Sequence, residues 1–360
     1  MRLMSLNEMN ATVRRNPFID ELRGYAILLV VIGHVLQFVI KVPLNGFAFA
    51  IIYSFHMPLF MFLSGYSLSI GHGDLKLCYV VKRMARLLVP FFVWGGAMVY
   101  VVHSVAGLAD LVLNPAYGLW FLWCLAWITF FVWLGQRISL LIKSEMGYFL
   151  VLIVLTILDY ILDSWCFAFN LIALHFIFFL LGYNLKKYWS DRSKDFKFFI
   201  KLCSVFLFFT LILFWRFPQT FILEKPVITF LKEAGFPRYV VLYMKGVFFV
   251  LKRYLVSVSG IIFVISISRF FHDILGRIIK RFIAFVGTRT LDVYSIHVFI
   301  VCLTPCLFSN KWLDALVKII LGITLPLVVG NLLRKNRWTN FLFLAGKIPS
   351  IESRHGKQEV

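Results

Sequence analysis

The sequence predicts an all-α, polytopic integral membrane protein with about ten transmembrane helices and both termini in the cytoplasm. Three observations carry this. Of 360 residues, 61% are hydrophobic and 15% charged, whereas soluble domains are about a quarter charged. The 40 Phe, 14 Tyr and 10 Trp exceed what one soluble core would bury, and they suit lipid-facing helices with interfacial aromatic belts. Apolar windows of the roughly 20 residues needed to cross a bilayer recur at 19–40, 47–70, 87–106, 117–135, 147–165, 167–185, 198–216, 246–267, 282–307 and 313–333.

The basic residues orient these windows. Taken alternately, one set of connecting segments, which includes both chain ends, holds 25 Lys and Arg, and the other set holds 7. Positive charge collects on the cytoplasmic side. Both termini are therefore expected there, with residues 1–17 an N-terminal tail, 18–335 the transmembrane domain and 336–360 a C-terminal tail. The polar start MRLMSLNEMNATVRRNP has no apolar stretch of signal-peptide type. The segment 217–245, with Pro218, Pro226 and Pro237, reads as the one sizeable outer loop.

The net charge of +20 is thus explained by membrane topology. No basic and aromatic module of a nucleic-acid-binding fold accompanies it, so nucleic acid is not an expected partner. The six cysteines contain no CxxC pair, so neither a disulfide framework nor a metal site is expected.

Ionisable groups inside hydrocarbon are costly and mark functional sites. In the first window, FIDELRGYAILLVVIGHVLQF, Arg23 and His34 are eleven residues apart. That spacing places them within roughly 20° on one helical face and about 16 Å apart along the axis. The plain alternative is a snorkelling Arg and a packing His. The second window carries His56 just before Pro58, which removes a backbone hydrogen bond and should kink the helix. Ser64 and Gly65 follow, small enough for close helix approach.

At the mouth of the third window, KRMARLLVPFFVW sets Arg83 and Arg86 at i,i+3 with Lys82 beside them. Paired guanidinium forks suit phosphates, although a stop-transfer cluster looks the same. In the ninth window, FVGTRTLDVYSIHVFIV, Tyr294 and His297 can share a face, and Asp292 must lie near an end, be paired, or face water. His175 and His103 have no partner legible in the sequence and are read as structural. These residues describe a polytopic protein with a His-lined interior and a basic cytoplasmic mouth.

The segments DELRGYAILLVVIGH, FHMPLFMFLSGY, RMAR, LWFL and GTRTLDVYSIHVF, in that order, resemble the membrane acyltransferase-3 family. The resemblance is specific in the first three windows and the ninth, and compositional between about 125 and 280. It implies transfer of an acyl group, usually acetyl, from cytoplasmic acetyl-CoA to a hydroxyl of a cell-surface glycan or lipid-linked sugar, in the inner membrane of a bacterium. It also places the family's first-helix Arg and His on Arg23 and His34, its RxxR pair on Arg83 and Arg86, its FHMPLF and SG segment on His56, Ser64 and Gly65, and its late Tyr and His on Tyr294 and His297.

The expected catalytic set is therefore His34, Arg23, His56, Tyr294 and His297, and the expected donor-binding set is Arg83, Arg86, Lys82, Ser64 and Gly65, with no metal. Members often carry an acidic residue one turn after the first-helix His, where this chain has Gln37. Attack of a hydroxyl on a thioester needs a base, and imidazole titrates in the right range; His34 is the expected base. The partners expected are acyl-CoA, the glycan or lipid-linked acceptor and membrane lipid. A secondary transporter or flippase is the rival reading, since intramembrane His and Arg also serve proton relays, but no internal repeat of the transporter kind is legible.

Overall fold

A computed structural model of the chain describes residues 16–43, 46–71, 74–103, 108–115, 118–162, 166–189, 193–216, 220–221, 229, 232–235 and 237–348. The described residues are overwhelmingly helical. In chain order the helices are α1 (Pro17–Val35), α2 (Phe47–Gly71), α3 (Leu77–Met98), α4 (Leu108–Leu113), α5 (Trp120–Leu141), α6 (Met146–Ile161), α7 (Phe169–Trp189) and α8 (Lys194–Phe214). They continue with α9 (Arg238–Ile274), α10 (Arg277–Thr288), α11 (Thr290–Leu303), α12 (Lys311–Leu333) and α13 (Arg337–Leu344). A two-residue strand, Trp215–Arg216, pairs antiparallel with Thr220–Phe221.

Among the described residues, most of each apolar window falls on one of these helices or on a helix pair. Among the described residues six helices are long and apolar enough to cross a membrane, and a bent pair, α10 with α11, makes a seventh if counted as one span. Helices α6 and α7 contribute shorter apolar stretches, Met146–Ile161 and Phe169–Leu185. The chain is an all-helical, multi-pass membrane protein.

Two boundaries differ from the sequence reading. The window 282–307 is not one straight helix: α10 and α11 meet at an angle of 82° beside Arg289. The bend follows from composition, because α10 alternates basic and apolar residues along RIIKRFIAFVGT and so favours an interface over the hydrocarbon. The segment 217–245 is not all loop either, because α9 starts at Arg238, directly after Pro237. A fixed φ at that position suits a helix start. Most of the remainder of that segment lies outside the described residues.

The chain forms two compact units. One comprises Met1–Gly73 and Ile177–Ile323; the other comprises Asp74–Phe176 and Thr324–Val360. In the first, α1 packs on α2, α10 and α11, while α2 and α8 pack on α9. Pro58 interrupts the hydrogen-bond ladder of α2, which frees the Ser54 carbonyl four residues earlier. The Ser257 hydroxyl on α9 donates to that carbonyl at 2.6 Å, so the proline is absorbed by a neighbouring helix, as a low-dielectric setting requires. After α11, the Asp314 carboxylate accepts from the Leu307 amide at 2.8 Å, and Lys318, 3.4 Å from Asp314, donates to the Thr304 carbonyl.

In the second unit α3 packs on α4, α5 and α13, and α5 on α6. Phe91 and Trp123 meet at 5.1 Å, and the Trp123 indole donates to the Phe167 carbonyl at 3.0 Å. Residues 337–344, expected as tail, form α13. The Asn336 side chain caps it by accepting from the Trp338 amide, and Trp94 of α3 donates to the Phe343 carbonyl at 2.9 Å.

Candidate functional site

Helix α1 carries two of the expected residues. It starts cleanly, with Asn16 accepting from the Phe18 amide at 3.1 Å and Pro17 in the first turn. Arg23 is fixed between two helices. One guanidinium nitrogen donates to the Ser67 hydroxyl of α2 at 2.7 Å, and another lies 3.5 Å from the Asp20 carboxylate one turn earlier. It does not merely snorkel.

His34 sits at the end of α1, immediately before a single turn of π-helix, Leu36–Ile40, that closes on Lys41 in a left-handed conformation. Such widened turns gather at functional sites. Its Nδ1 is 2.8 Å from Nε2 of His297 on α11, with the rings 5.0 Å apart. His297 is 0% exposed, and its Nδ1 lies 2.7 Å from the Val293 carbonyl.

These two contacts assign the protons. A carbonyl only accepts, so His297 Nδ1 carries its hydrogen. In a neutral imidazole that leaves His297 Nε2 as the acceptor, and the 2.8 Å contact then requires His34 to donate from Nδ1. The free lone pair of His34 is therefore on Nε2, which makes no hydrogen bond among the described residues. His56 and His175 carry the same tautomer but are held by backbone rather than by a side chain. Each donates Nδ1–H to a carbonyl four residues back, Ile52 and Leu171 respectively. Of His34, His56 and His175, His34 is the one whose Nδ1 bonds another side chain and not the backbone of its own helix.

Around this pair stand further polar groups of the same unit. His56 is buried. The Tyr53 ring meets His56 edge-on at 4.8 Å, and its hydroxyl donates to the Gln37 side-chain carbonyl at 3.1 Å. Gln37, which replaces the family's frequent acid, thus binds Tyr53 and leaves His34 to His297. Tyr294 is half-buried with its ring 6.3 Å from His297. Asp292 is 0% exposed in the first turn of α11 and lies 3.9 Å from Arg289, so it is both near a helix end and paired.

Sequence reasoning gave no role to Arg253, a cation of α9 in the same unit. The signal was present: Lys252 and Arg253 are cations in the body of a long helix. Tyr53 was also missed, since tyrosine is common in an apolar helix and only its contacts set it apart.

In the other unit, Arg83 and Arg86 lie well inside α3 rather than at its start. Arg83 is half-buried. It donates to the Tyr79 hydroxyl at 3.3 Å, while its buried Nε has no hydrogen-bond partner. Arg86 donates from Nε to the Ala345 carbonyl at 2.8 Å, closing the C-terminus of α13. Lys82 is exposed. A buried guanidinium donor beside an exposed Lys and Arg fits an anionic group such as a donor's phosphates.

Ser64 is half-buried. Gly65 packs so closely that a Cβ on it would strike the Phe179 carbonyl oxygen, and one on Gly182 would strike that of Phe62. This reciprocal contact is the crossing of α2 with α7, and Gly65 is required there for packing. His175 is buried against Trp120, rings 5.3 Å apart, consistent with a structural imidazole. The side chain of His103 lies outside the described residues. Among the described residues no three His, Cys, Asp or Glu side chains gather as metal ligands would.

Residues 16–331 match the family model of the acyltransferase domain of acyltransferase-3 type. The chain belongs to the acyltransferase-3 family. Similar curated relatives are the nodulation protein NolL of Sinorhizobium fredii, 37% identical over 117 residues, and that of Mesorhizobium japonicum, 36% identical over 134 residues. The aligned regions cover 29% and 33% of this chain and 32% and 35% of the respective relatives. The chain thus spans about a third of the length of the curated relatives it matches. No solved structure matches the chain. The acyltransferase-3 match covers both the helices that carry His34 and His297 and the one that carries Arg83 and Arg86.

Proposed function

We propose that this acyltransferase-3 protein is an O-acetyltransferase that moves an acetyl group from cytoplasmic acetyl-CoA to a hydroxyl of a cell-surface or lipid-linked glycan. The observation that carries the reading is the His34–His297 contact, which leaves His34 Nε2 as a lone pair held in place. A general base needs a free lone pair on a ring that is held at its other nitrogen, and at His34 the holding group is a second imidazole that goes on accepting as positive charge develops.

In this reading His34 Nε2 takes the proton of the acceptor hydroxyl as its oxygen attacks the thioester carbon. The C–S bond breaks, the coenzyme thiolate leaves, and the proton on His34 passes to it. The positive charge that His34 carries in between is stabilised by the His297 Nε2 lone pair, which remains its hydrogen-bond acceptor. Arg83, Arg86 and Lys82 bind the phosphates of the donor, with Ser64 as a further donor-side hydroxyl. Arg23 holds α1 to α2 and so sets the register of His34. Tyr294, His56 and Arg253 complete the polar environment.

The proposal includes ten membrane crossings in a bacterial inner membrane, with both termini cytoplasmic. Transfer of label from radioactive acetyl-CoA to endogenous glycan in inside-out vesicles is the test. Uptake of label without covalent transfer would favour a transporter and defeat the proposal. Topology is read separately by cysteine labelling of intact cells: reaction near Lys232 and not near Lys187 is expected, and the reverse would overturn the orientation.

A further inference from the structure

The bent pair raises the question of what α10 does if it does not cross the membrane. The crossing then falls to its neighbour α11, whose 14 residues give about 21 Å of helix against a hydrocarbon core of about 30 Å, a mismatch that a bilayer meets by local thinning. At about 100° per residue, the side chains of α10 sort into three sectors. One, with Ile283, Val286 and Gly287, is buried against α1. The approach is close: a Cβ on Gly287 would strike the Asp20 carbonyl oxygen, and one on Gly24 the Ile283 carbonyl oxygen.

The second sector is apolar and open. Ile278 is 83% exposed, Phe282 48% and Phe285 40%. The third is basic. Arg277 and Arg281 are exposed and make no hydrogen bond or ion pair with other described residues, and Lys280 reaches back to the His272 carbonyl at 2.7 Å. Arg269, over the Phe18 ring at 5.4 Å, adds charge next to the same end; the acidic residues near α10 are Asp273, Glu21, whose carboxylate lies 2.8 Å from His272 Nδ1, and Asp20 of α1, which faces Arg23. The apolar and basic sectors lie roughly a right angle apart.

We infer that α10 is an in-plane helix whose Arg277 and Arg281 bind the anionic headgroups of membrane phospholipid while Ile278, Phe282 and Phe285 insert among the acyl chains. Three faces meet three surroundings: protein, hydrocarbon and charged headgroup. A spanning helix would place Arg277, Lys280 and Arg281 in hydrocarbon, and a soluble partner would leave the Phe and Ile sector without its natural solvent. Charge complementarity selects an anionic lipid, since each basic side chain near such a surface adds favourable free energy. The 82° bend is the geometric consequence, turning the chain from the membrane plane into α11.

The test uses the full-length protein in vesicles of phosphatidylcholine alone or phosphatidylcholine with phosphatidylglycerol, reading hydrogen exchange of the amides of 277–288. Exchange should slow by about tenfold to thirtyfold when phosphatidylglycerol is present, and the double variant Arg277→Gln, Arg281→Gln should lose that difference while keeping the exchange pattern of α1. Equal exchange in both lipids, or an undiminished difference in the double variant, would overturn the inference. So would full protection already present in detergent, which would mean that the chain covers this face itself, or equal slowing by inorganic phosphate in detergent. Phe282→Ser should raise exchange in both vesicle types; no change would refute insertion of the apolar sector.

Discussion

The imidazoles of the first unit, the proposed base site, and the guanidinium pair of the second, the proposed donor site, are held in different ways. His34 and His297 are 263 residues apart in sequence and touch at 2.8 Å. Arg83 and Arg86 are one helical turn apart, with Arg83 steadied by Tyr79 of its own helix. The first arrangement exists only when α1 and α11 are packed, and it fixes a tautomer. The second sets both cations on one turn of α3, with Arg86 also reaching the Ala345 carbonyl of α13, and it fixes a charge density. A base needs a defined lone pair, whereas a phosphate site needs donors and charge, so the two tasks call for different degrees of tertiary support.

The largest effect that could break this contrast is at His34. His34→Ala should give an inserted protein whose transfer rate falls by about 100- to 10,000-fold, while His175→Ala, removing an imidazole that donates to the Leu171 carbonyl of its own helix and packs on Trp120, should keep most activity. Near-normal transfer by His34→Ala, measured with labelled acetyl-CoA, would remove the base assignment. Next come Arg83→Ala and Arg86→Ala. Each removes charge-assisted contacts of roughly 1.5–3 kcal/mol, so donor affinity should fall by about 10- to 150-fold with little change in kcat. Unaltered donor binding in both would return the pair to simple membrane orientation.

A sharper division concerns His297. As an orienting partner its loss in His297→Ala should cost about 10- to 100-fold in kcat, the range seen when a group that orients a functional imidazole is removed. His297→Gln keeps an acceptor oxygen for His34 Nδ1 and should recover part of that loss. Equal damage in both variants, with equal thermal destabilisation, would make His297 a packing residue. The smallest effect is structural. Gly65→Ala forces the α2 and α7 crossing apart and should destabilise by about 1–3 kcal/mol, read as a lower midpoint in detergent unfolding. Gly276→Ala, which meets nothing within 4 Å, should shift it much less.

Much of the fold was legible because hydropathy is a local property. Among the described residues, most of each window coincides with a helix or helix pair, since twenty apolar residues in a bilayer have few alternatives to helical hydrogen bonding. What failed was local too, but finer. The window 282–307 began at the apolar end of α10, past Arg277, Lys280 and Arg281, and so concealed the bend beside Arg289. The segment 217–245 was read from its prolines as loop, although Pro237 starts a helix.

The site was legible as a set of residue types and not as a set of contacts. From the sequence, an intramembrane Arg or His is costly enough to demand a reason, and that cost singled out Arg23, His34, His56 and His297. Nothing local said that Gln37 would accept from Tyr53, or that His297 would take the place of the missing acid beside His34.

The sequence by itself thus determined the membrane class, the helical segments, the family and the chemistry available, because hydropathy and motif spacing act over one helix at a time. Tertiary packing alone decided which imidazole nitrogen carries a proton, that Arg23 is clamped rather than snorkelling, that Gly65 serves a helix crossing, and that α10 turns away from α11. Each of these depends on a donor, an acceptor or a backbone brought from a distant part of the chain, and in a medium with no water to substitute, such partners must come from the protein itself.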